Sequence, residues 1–292
     1  MLAPMGCRVS ALLLLAFAAC LTAAAARAGA DDAAAELVFS HSGAVLRRIS
    51  LEQLRAALPV ERIEVDDPFY NKRKTFLAFR LADVFELGFG RPAASFAGEN
   101  FFLRARDGYS KPVSAERLAE PGGFVAFADA SLSRDGTPPA WEPIDRRQVD
   151  PGPFYVVWSE PRQNDPHRYP WPYQLVNFDR APYATEYPHT LPPASASKAA
   201  AAGFAIFRRE CVSCHSINGE GGKVGPDLNI PQSIVEYRPI EQIKAYIHDP
   251  NTFRRTSMPP HPHLSDADLD ALVAYFTAMK GQKHDPGASP AS

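Results

Sequence analysis

The chain has 292 residues, of which 46% are hydrophobic and 22% charged, and its formal net charge is −2. That length accommodates two ordinary domains with separate cores, and the composition is that of a soluble globular protein. A near-neutral balance excludes a nucleic-acid binder that works through a cationic field.

Residues 1–30 read as an export signal. Arg8 gives a basic start, Ala11 to Ala19 an apolar run, and Ala28-Gly29-Ala30 a small-x-small cleavage site before Asp31. The run is too short for a persuasive membrane span. Phe17-Ala18-Ala19-Cys20 loosely resembles a lipobox, so a lipid anchor on Cys20 is the alternative. Either route delivers the mature chain to the periplasm. Cys7 then lies in the signal and Cys20 is removed or lipidated, which leaves Cys211 and Cys214 for chemistry.

Residues 31–161 predict a mixed α+β domain. Glu36 to Phe39 and Ala44 to Ile49 read as strands around Ser42-Gly43. Ser50 to Gln53 is a capping box that opens a short helix through Leu54. Arg62 to Val65 and Thr75 to Phe79 are strands flanking the Asp66-Asp67-Pro68 turn. Leu81 to Leu87 has helical spacing and is expected to stop at Gly88. Phe101 to Ala105 and Lys111 to Ser114 predict a hairpin across Asp107-Gly108. Phe124 to Phe127 and Phe154 to Trp158 are buried-strand candidates. Lys72-Arg73-Lys74 with Arg80 is a positive cluster, read either as an anion or partner site or as a solvated strand end. His41, His167 and His189 are scattered and support no metal site by spacing.

Prolines number 28, nearly twice the usual share of about 5%. Much of the excess falls between Pro138 and Pro193, so extended, irregular chain is expected there. Residues 162–194 accordingly read as a Pro- and aromatic-rich linker. Tyr169-Pro-Trp-Pro-Tyr173 is too aromatic to float free and is expected to pack along a domain surface. An all-α second domain follows over 195–283, and 284–292 is a tail.

Cys211-Val212-Ser213-Cys214-His215 fits the C-x-x-C-H attachment signature for c-type haem. Two thiols at that spacing reach two vinyl groups on one porphyrin edge, and the adjacent histidine meets the iron from one face. A disulfide, a thioredoxin-like pair or half a zinc site are the alternatives. Zinc would want further cysteines or histidines at set spacing, and a thioredoxin pair a βαβ context. Met258 lies on a proline-stiffened loop between two helices, an odd place for a core residue and a suitable one for a thioether ligand to iron. His261 and His263 follow closely and are the alternative sixth ligands. Met279, late in the last helix, reads as structural, and His248 as a helix-end residue favoured by the negative C-terminal dipole.

The second domain resembles the class I cytochrome c family over nearly its whole length. Gly203, Phe207 and Cys211 match that family's G-x-x-x-F-x-x-x-C helix. Ser265, with Asp266 and Asp268, should open the last helix. The resemblance implies that Leu272 and Tyr275 face Gly203 and Phe207. Gly225-Pro226-Asp227-Leu228 resembles the family turn in which the proline carbonyl accepts from the proximal histidine, here Pro226 from His215, while Leu228 packs on the haem face. More loosely, the first domain resembles the molybdopterin-binding domain of the sulfite oxidase family. The match rests on Phe79 to Leu87, Ala105 to Ser110 and Gly152 to Trp158. That family binds molybdenum through a cysteine, and this domain has none.

The expectation is therefore a multidomain, exported electron carrier with one covalent haem c, not an enzyme. His215 and Met258 are the axial ligands, and the first domain is a docking or ligand-binding module. Its partner would be a redox protein in the periplasm or inner membrane. The rivals are a haem–molybdenum dehydrogenase of sulfite-oxidase type, and a redox sensor or assembly factor for a respiratory oxidase.

Overall fold

Alternating apolar and polar side chains in the first half of the chain build two sheets. A computed structural model describes residues 35–145, 147–166 and 168–287. The segment read as an export signal, with Cys7 and Cys20, as well as His167 and the end of the tail, lies outside the described residues. Strands β1 (Glu36–His41) and β2 (Ala44–Ser50) form a hairpin, and the Ser50 capping box opens helix α1 (Leu51–Ala57). Strands β3 (Glu61–Asp67) and β4 (Lys72–Arg80) pair antiparallel, and β4 runs straight into α2 (Leu81–Phe89). Next come β5 (Asn100–Ala105), β6 (Ser110–Ser114), the short α3 (Ala115–Leu118), β7 (Gly123–Asp129) and β8 (Tyr155–Trp158).

Helix α2 runs past its expected stop. Gly88 is inside it, where a Cβ would fall 2.0 Å from the Phe39 ring, and Gly90 ends it in the left-handed conformation. Gly88 is therefore a packing residue: its missing side chain is the space that Phe39 fills.

The expected linker is largely structure. Residues Leu175–Arg180 form β9, which lies between β1 (parallel) and β5 (antiparallel) in a five-stranded sheet of order β2-β1-β9-β5-β6. The other sheet has the order β3-β4-β7-β8 and is antiparallel throughout. Proline density concealed β9, and its partners are 70 or more residues away in sequence. The aromatic stretch before it does pack: Tyr169 and Trp171 are buried, and the Trp158 indole N–H donates to the Pro170 carbonyl at 2.7 Å.

The positive cluster is paired. Arg73 bonds Asp66, Arg80 bonds Glu61, and Lys72 bonds Glu142. Lys74 is buried between Asp129 and Glu142, so the solvated reading fails for this residue.

After the short α4 (Tyr183–Glu186) the chain becomes helical. Helix α5 (Lys198–Ile206) is followed by the two-residue strands β10 (Ser216–Ile217) and β11 (Glu220–Gly221). Helices α6 (Ile234–Tyr237), α7 (Ile240–His248) and α8 (Asp266–Lys280) complete it. Ser265 caps α8 as expected, its Oγ accepting from the Asp268 N–H at 3.2 Å. The apolar core of this helical region is continuous with Phe102, Tyr183 and Tyr187 from the sheet-rich part.

Asp67 offers a test of the sheet-rich part. Its Oδ1 accepts from the Phe69 and Tyr70 N–H groups at 2.9 and 3.0 Å and shapes the β3–β4 turn. Burial raises its pKa, against the pull of those two bonds. A raised folded-state pKa means that stability is fully present below the unfolded pKa and is lost as pH climbs through the folded one. Asp67→Asn keeps the Oδ1 acceptor and removes the buried charge. Its melting temperature should exceed that of the parent by a few degrees at pH 8 and by less at pH 5; equal gains at both pH values would refute the buried charge as the cause.

Candidate functional site

The thiols are presented by the end of α5. Ser197 caps that helix, with its Oγ accepting from the Ala200 N–H at 3.1 Å, and the following alanines favour helix. The helix then widens into a π-helical turn over Phe207–Cys211, a form that recurs at functional sites. The His215 N–H donates to the Cys211 carbonyl at 2.9 Å, so the Cys-x-x-Cys-His segment is itself a helical turn. Cys211 and Cys214 are not joined in a disulfide. Burial pushes their pKa values up to about 12 and about 11, the opposite of the depressed thiol in a redox-active pair.

His215 is held in one tautomer. Its Nδ1 lies 2.8 Å from the Pro226 carbonyl, which can only accept, so Nδ1 carries the hydrogen and the lone pair is left on Nε2. The ring lies against Gly225, where a Cβ would come within 2.4 Å of it. Burial lowers the His215 pKa, which favours the neutral, metal-binding form. Cys211, Cys214 and His215 do not converge on a point. Among the described residues no group of three or more His, Cys, Asp or Glu side chains could hold a bare metal ion. That spread does not suit zinc and fits a flat group anchored at one edge and ligated at its centre.

The walls are apolar. Phe207 is fully buried, 5.3 Å from the Tyr275 ring, and Tyr275 donates its hydroxyl to the Thr190 carbonyl at 2.7 Å. Leu228 and Met258 are partly buried against the same cluster as Cys211. His263 lies 3.5 Å from Glu210, and the His261 N–H is tied to the Ile247 and His248 carbonyls. Met279 is buried in the core and His248 ends α7, as expected of both.

Two features escaped the sequence. Ser110, Lys111 and Gly108 from the sheet-rich part bond the backbone of Ser213, Arg209 and Lys223. A cleft of about 580 Å³ separates Phe69, Tyr70 and Lys72 from Met258 and Pro259. Both join residues more than 90 apart in the chain, and no local pattern announces such contacts.

Gly203 sets the helix crossing. A Cβ there would fall 1.9 Å from the Ala271 carbonyl oxygen and 2.9 Å from the Tyr275 Cβ. Tyr275 faces both Gly203 and Phe207 as expected, whereas Gly203's nearest contact is the backbone of Ala271 rather than Leu272. Gly203→Ala should destabilise the helical region by about 2–3 kcal/mol through overpacking against backbone. Gly281→Ala, whose Cβ would meet only the Ala278 carbonyl at 3.9 Å, is the comparison and should change little. Chemical denaturation of both variants decides it, and equal stabilities would refute the close crossing.

Residues 200–280 match the cytochrome c family model, and they form a cytochrome c domain. Lupanine 17-hydroxylase (cytochrome c) from a Pseudomonas species is 36% identical over 102 residues, which is 34% of this chain and 14% of that protein. Cytochrome c oxidase subunit 2 from Alkalihalophilus pseudofirmus is 32% identical over 76 residues, 24% of this chain and 22% of that protein. The chain thus spans less than a quarter of either relative. What is shared is a haem electron-transfer domain, and the cytochrome c family holds its haem c covalently.

Proposed function

We propose that this chain is an exported, periplasmic c-type cytochrome with one haem that passes single electrons to or from a redox partner. The observation that carries the reading is the His215–Pro226 hydrogen bond beside two thiols outside any disulfide, within a cytochrome c domain. Haem c, when bound, supplies a one-electron iron couple. Cys211 and Cys214 would hold it by thioethers, and His215 would offer Nε2 to the iron. The Pro226 carbonyl keeps that nitrogen free of hydrogen, and Met258 would offer its thioether to the same iron. Phe207, Leu228 and Tyr275 would keep water from the group.

The sheet-rich part is read as a sulfite-oxidase-like scaffold that serves for docking or ligand binding. The cysteines of the full sequence are Cys7, Cys20, Cys211 and Cys214, and none falls within it. A shape without its metal ligand is a module for other uses, since fold does not fix function. The likeness to an oxidase subunit supports a place in respiratory electron transfer. The hydroxylase activity in the other relative's name belongs to that protein, of which only 14% is matched.

Cys211→Ala together with Cys214→Ala should abolish acid-stable haem and leave the helical region unfolded. Acid–acetone extraction reads this directly, and full haem retention in the pellet would sink the assignment. Elemental analysis of the parent protein from a host that makes both haem and molybdopterin should give iron near one per chain without molybdenum. Stoichiometric molybdenum would promote the dehydrogenase reading instead.

Met258→Ala should lower the reduction potential and open the iron to carbon monoxide, because a neutral thioether favours ferrous iron. The oxidised parent should show the weak far-red band of methionine-to-iron coordination. Its absence from the parent, with an unchanged spectrum in the variant, would transfer the role to His261 or His263.

A further inference from the structure

The side of the site that carries the thiols is closed by the chain itself. The Ser110 N–H donates to the Ser213 carbonyl at 3.0 Å and the Lys223 N–H to the Gly108 carbonyl at 2.9 Å. Lys111 Nζ donates to the Arg209 carbonyl at 2.6 Å. A protein could not lie flat on residues 209–214 without displacing β6 and its turn.

Met258 borders the cleft toward Phe69 and Tyr70, and the surface that leads to it from α7 has a different character. Tyr237 and Phe253 are 51% and 47% exposed, large aromatic surfaces left in water. They belong to one connected face. The Arg238 guanidinium lies 5.9 Å from the ring centres of both Tyr237 and Tyr246. Arg254 lies 5.7 Å from the Tyr246 ring, which meets Phe253 at 5.6 Å. On other faces of the helical region Lys244 pairs with Asp270 and Lys283 with Glu236. Arg238, Arg254 and Arg255 form no ion pair among the described residues.

This face also has a short route to the ligand. Arg254 Nε donates to the Tyr246 hydroxyl at 3.1 Å, and Thr256 hydrogen-bonds the same tyrosine. The Met258 N–H in turn donates to the Thr256 Oγ1 at 3.2 Å. Two hydrogen bonds thus link the arginine-edged face to the backbone of Met258.

We infer that the face built on Tyr237, Tyr246 and Phe253, edged by Arg238, Arg254 and Arg255, is where a redox protein bearing surface carboxylates docks. Exposed aromatics among arginines have the composition of a binding surface, and fixed cations steer an acidic partner toward it. The inference rests on the proposed roles of His215 and Met258 at the iron. One electron crosses, from ferrous iron to an oxidised acceptor or the reverse, and no bond or proton changes hands.

Two probes of triple negative charge test it on the intact holoprotein. Paramagnetic hexacyanochromate(III) should broaden the amide resonances of residues 246–256 before those of 209–223. Stopped-flow oxidation of the ferrous protein by ferricyanide should slow at least about tenfold at low salt in R238E/R254E/R255E. The difference should collapse near 1 M salt, where the Debye length is about 3 Å. Lys223→Glu, an exposed charge beside the thiol segment, should leave the rate within about twofold. If the triple variant fails to fold, Arg255→Glu alone should show the same direction at smaller size. A Lys223→Glu effect as large as the triple one, or broadening centred on 209–223, would overturn the docking face. Absence of covalent haem from the parent would instead overturn the reading of the site, so the two failures are distinguishable.

Discussion

Helices α5 and α8 cross so closely at Gly203 that the Ala271 carbonyl occupies the space of a side chain, and the helical region is assembled around that contact. The crossing brings Tyr275 against Phe207, and Phe207 is one turn ahead of Cys211 on the same run of helix. A backbone-to-backbone approach has no flexible end that can yield, unlike a contact between long side chains. Placement of the thiols therefore follows from the helix pair, and the His215 ring, fixed by Pro226 and Gly225, completes it.

The same pair joins the two regions. Tyr275 reaches Thr190, Tyr183 lies under the Arg208 guanidinium at 4.1 Å, and the Phe102 ring of β5 meets Tyr187 at 5.0 Å. Residues 181–190 are consequently a shared wall and not a tether. Both regions lose apolar surface to water if they separate, so relative motion between them is opposed by a continuous core. The proximal side of the site inherits this rigidity, while the Met258 loop borders open space in the cleft.

Local chemistry made much of this legible in the sequence. Capping boxes at Ser50 and Ser265 mark their helices because cap and third residue are neighbours in the chain. The Cys211 to His215 turn is legible for the same reason, because the porphyrin edge dictates its spacing, whereas the Pro226 turn was legible only through the family resemblance. Gly88 misled because glycine inside a helix and glycine at its end look alike until Phe39 is placed. Residue β9 pairings, the Lys74–Asp129–Glu142 cluster and the bonds from β6 to the thiol segment were invisible because they depend on partners far away in sequence.

The position of β9 bears on the order in which the chain can fold as it is made. Its neighbours β1 and β5 have emerged some seventy residues or more before it, yet cannot pair with each other across the gap that β9 fills. The larger sheet therefore remains open until Arg180 has been synthesised, only a short stretch ahead of Cys211. Closure of the sheet and presentation of the thiols become nearly simultaneous events. A fragment that ends at residue 161 would lack its central strand and expose two apolar strand edges, the condition that invites edge-to-edge aggregation.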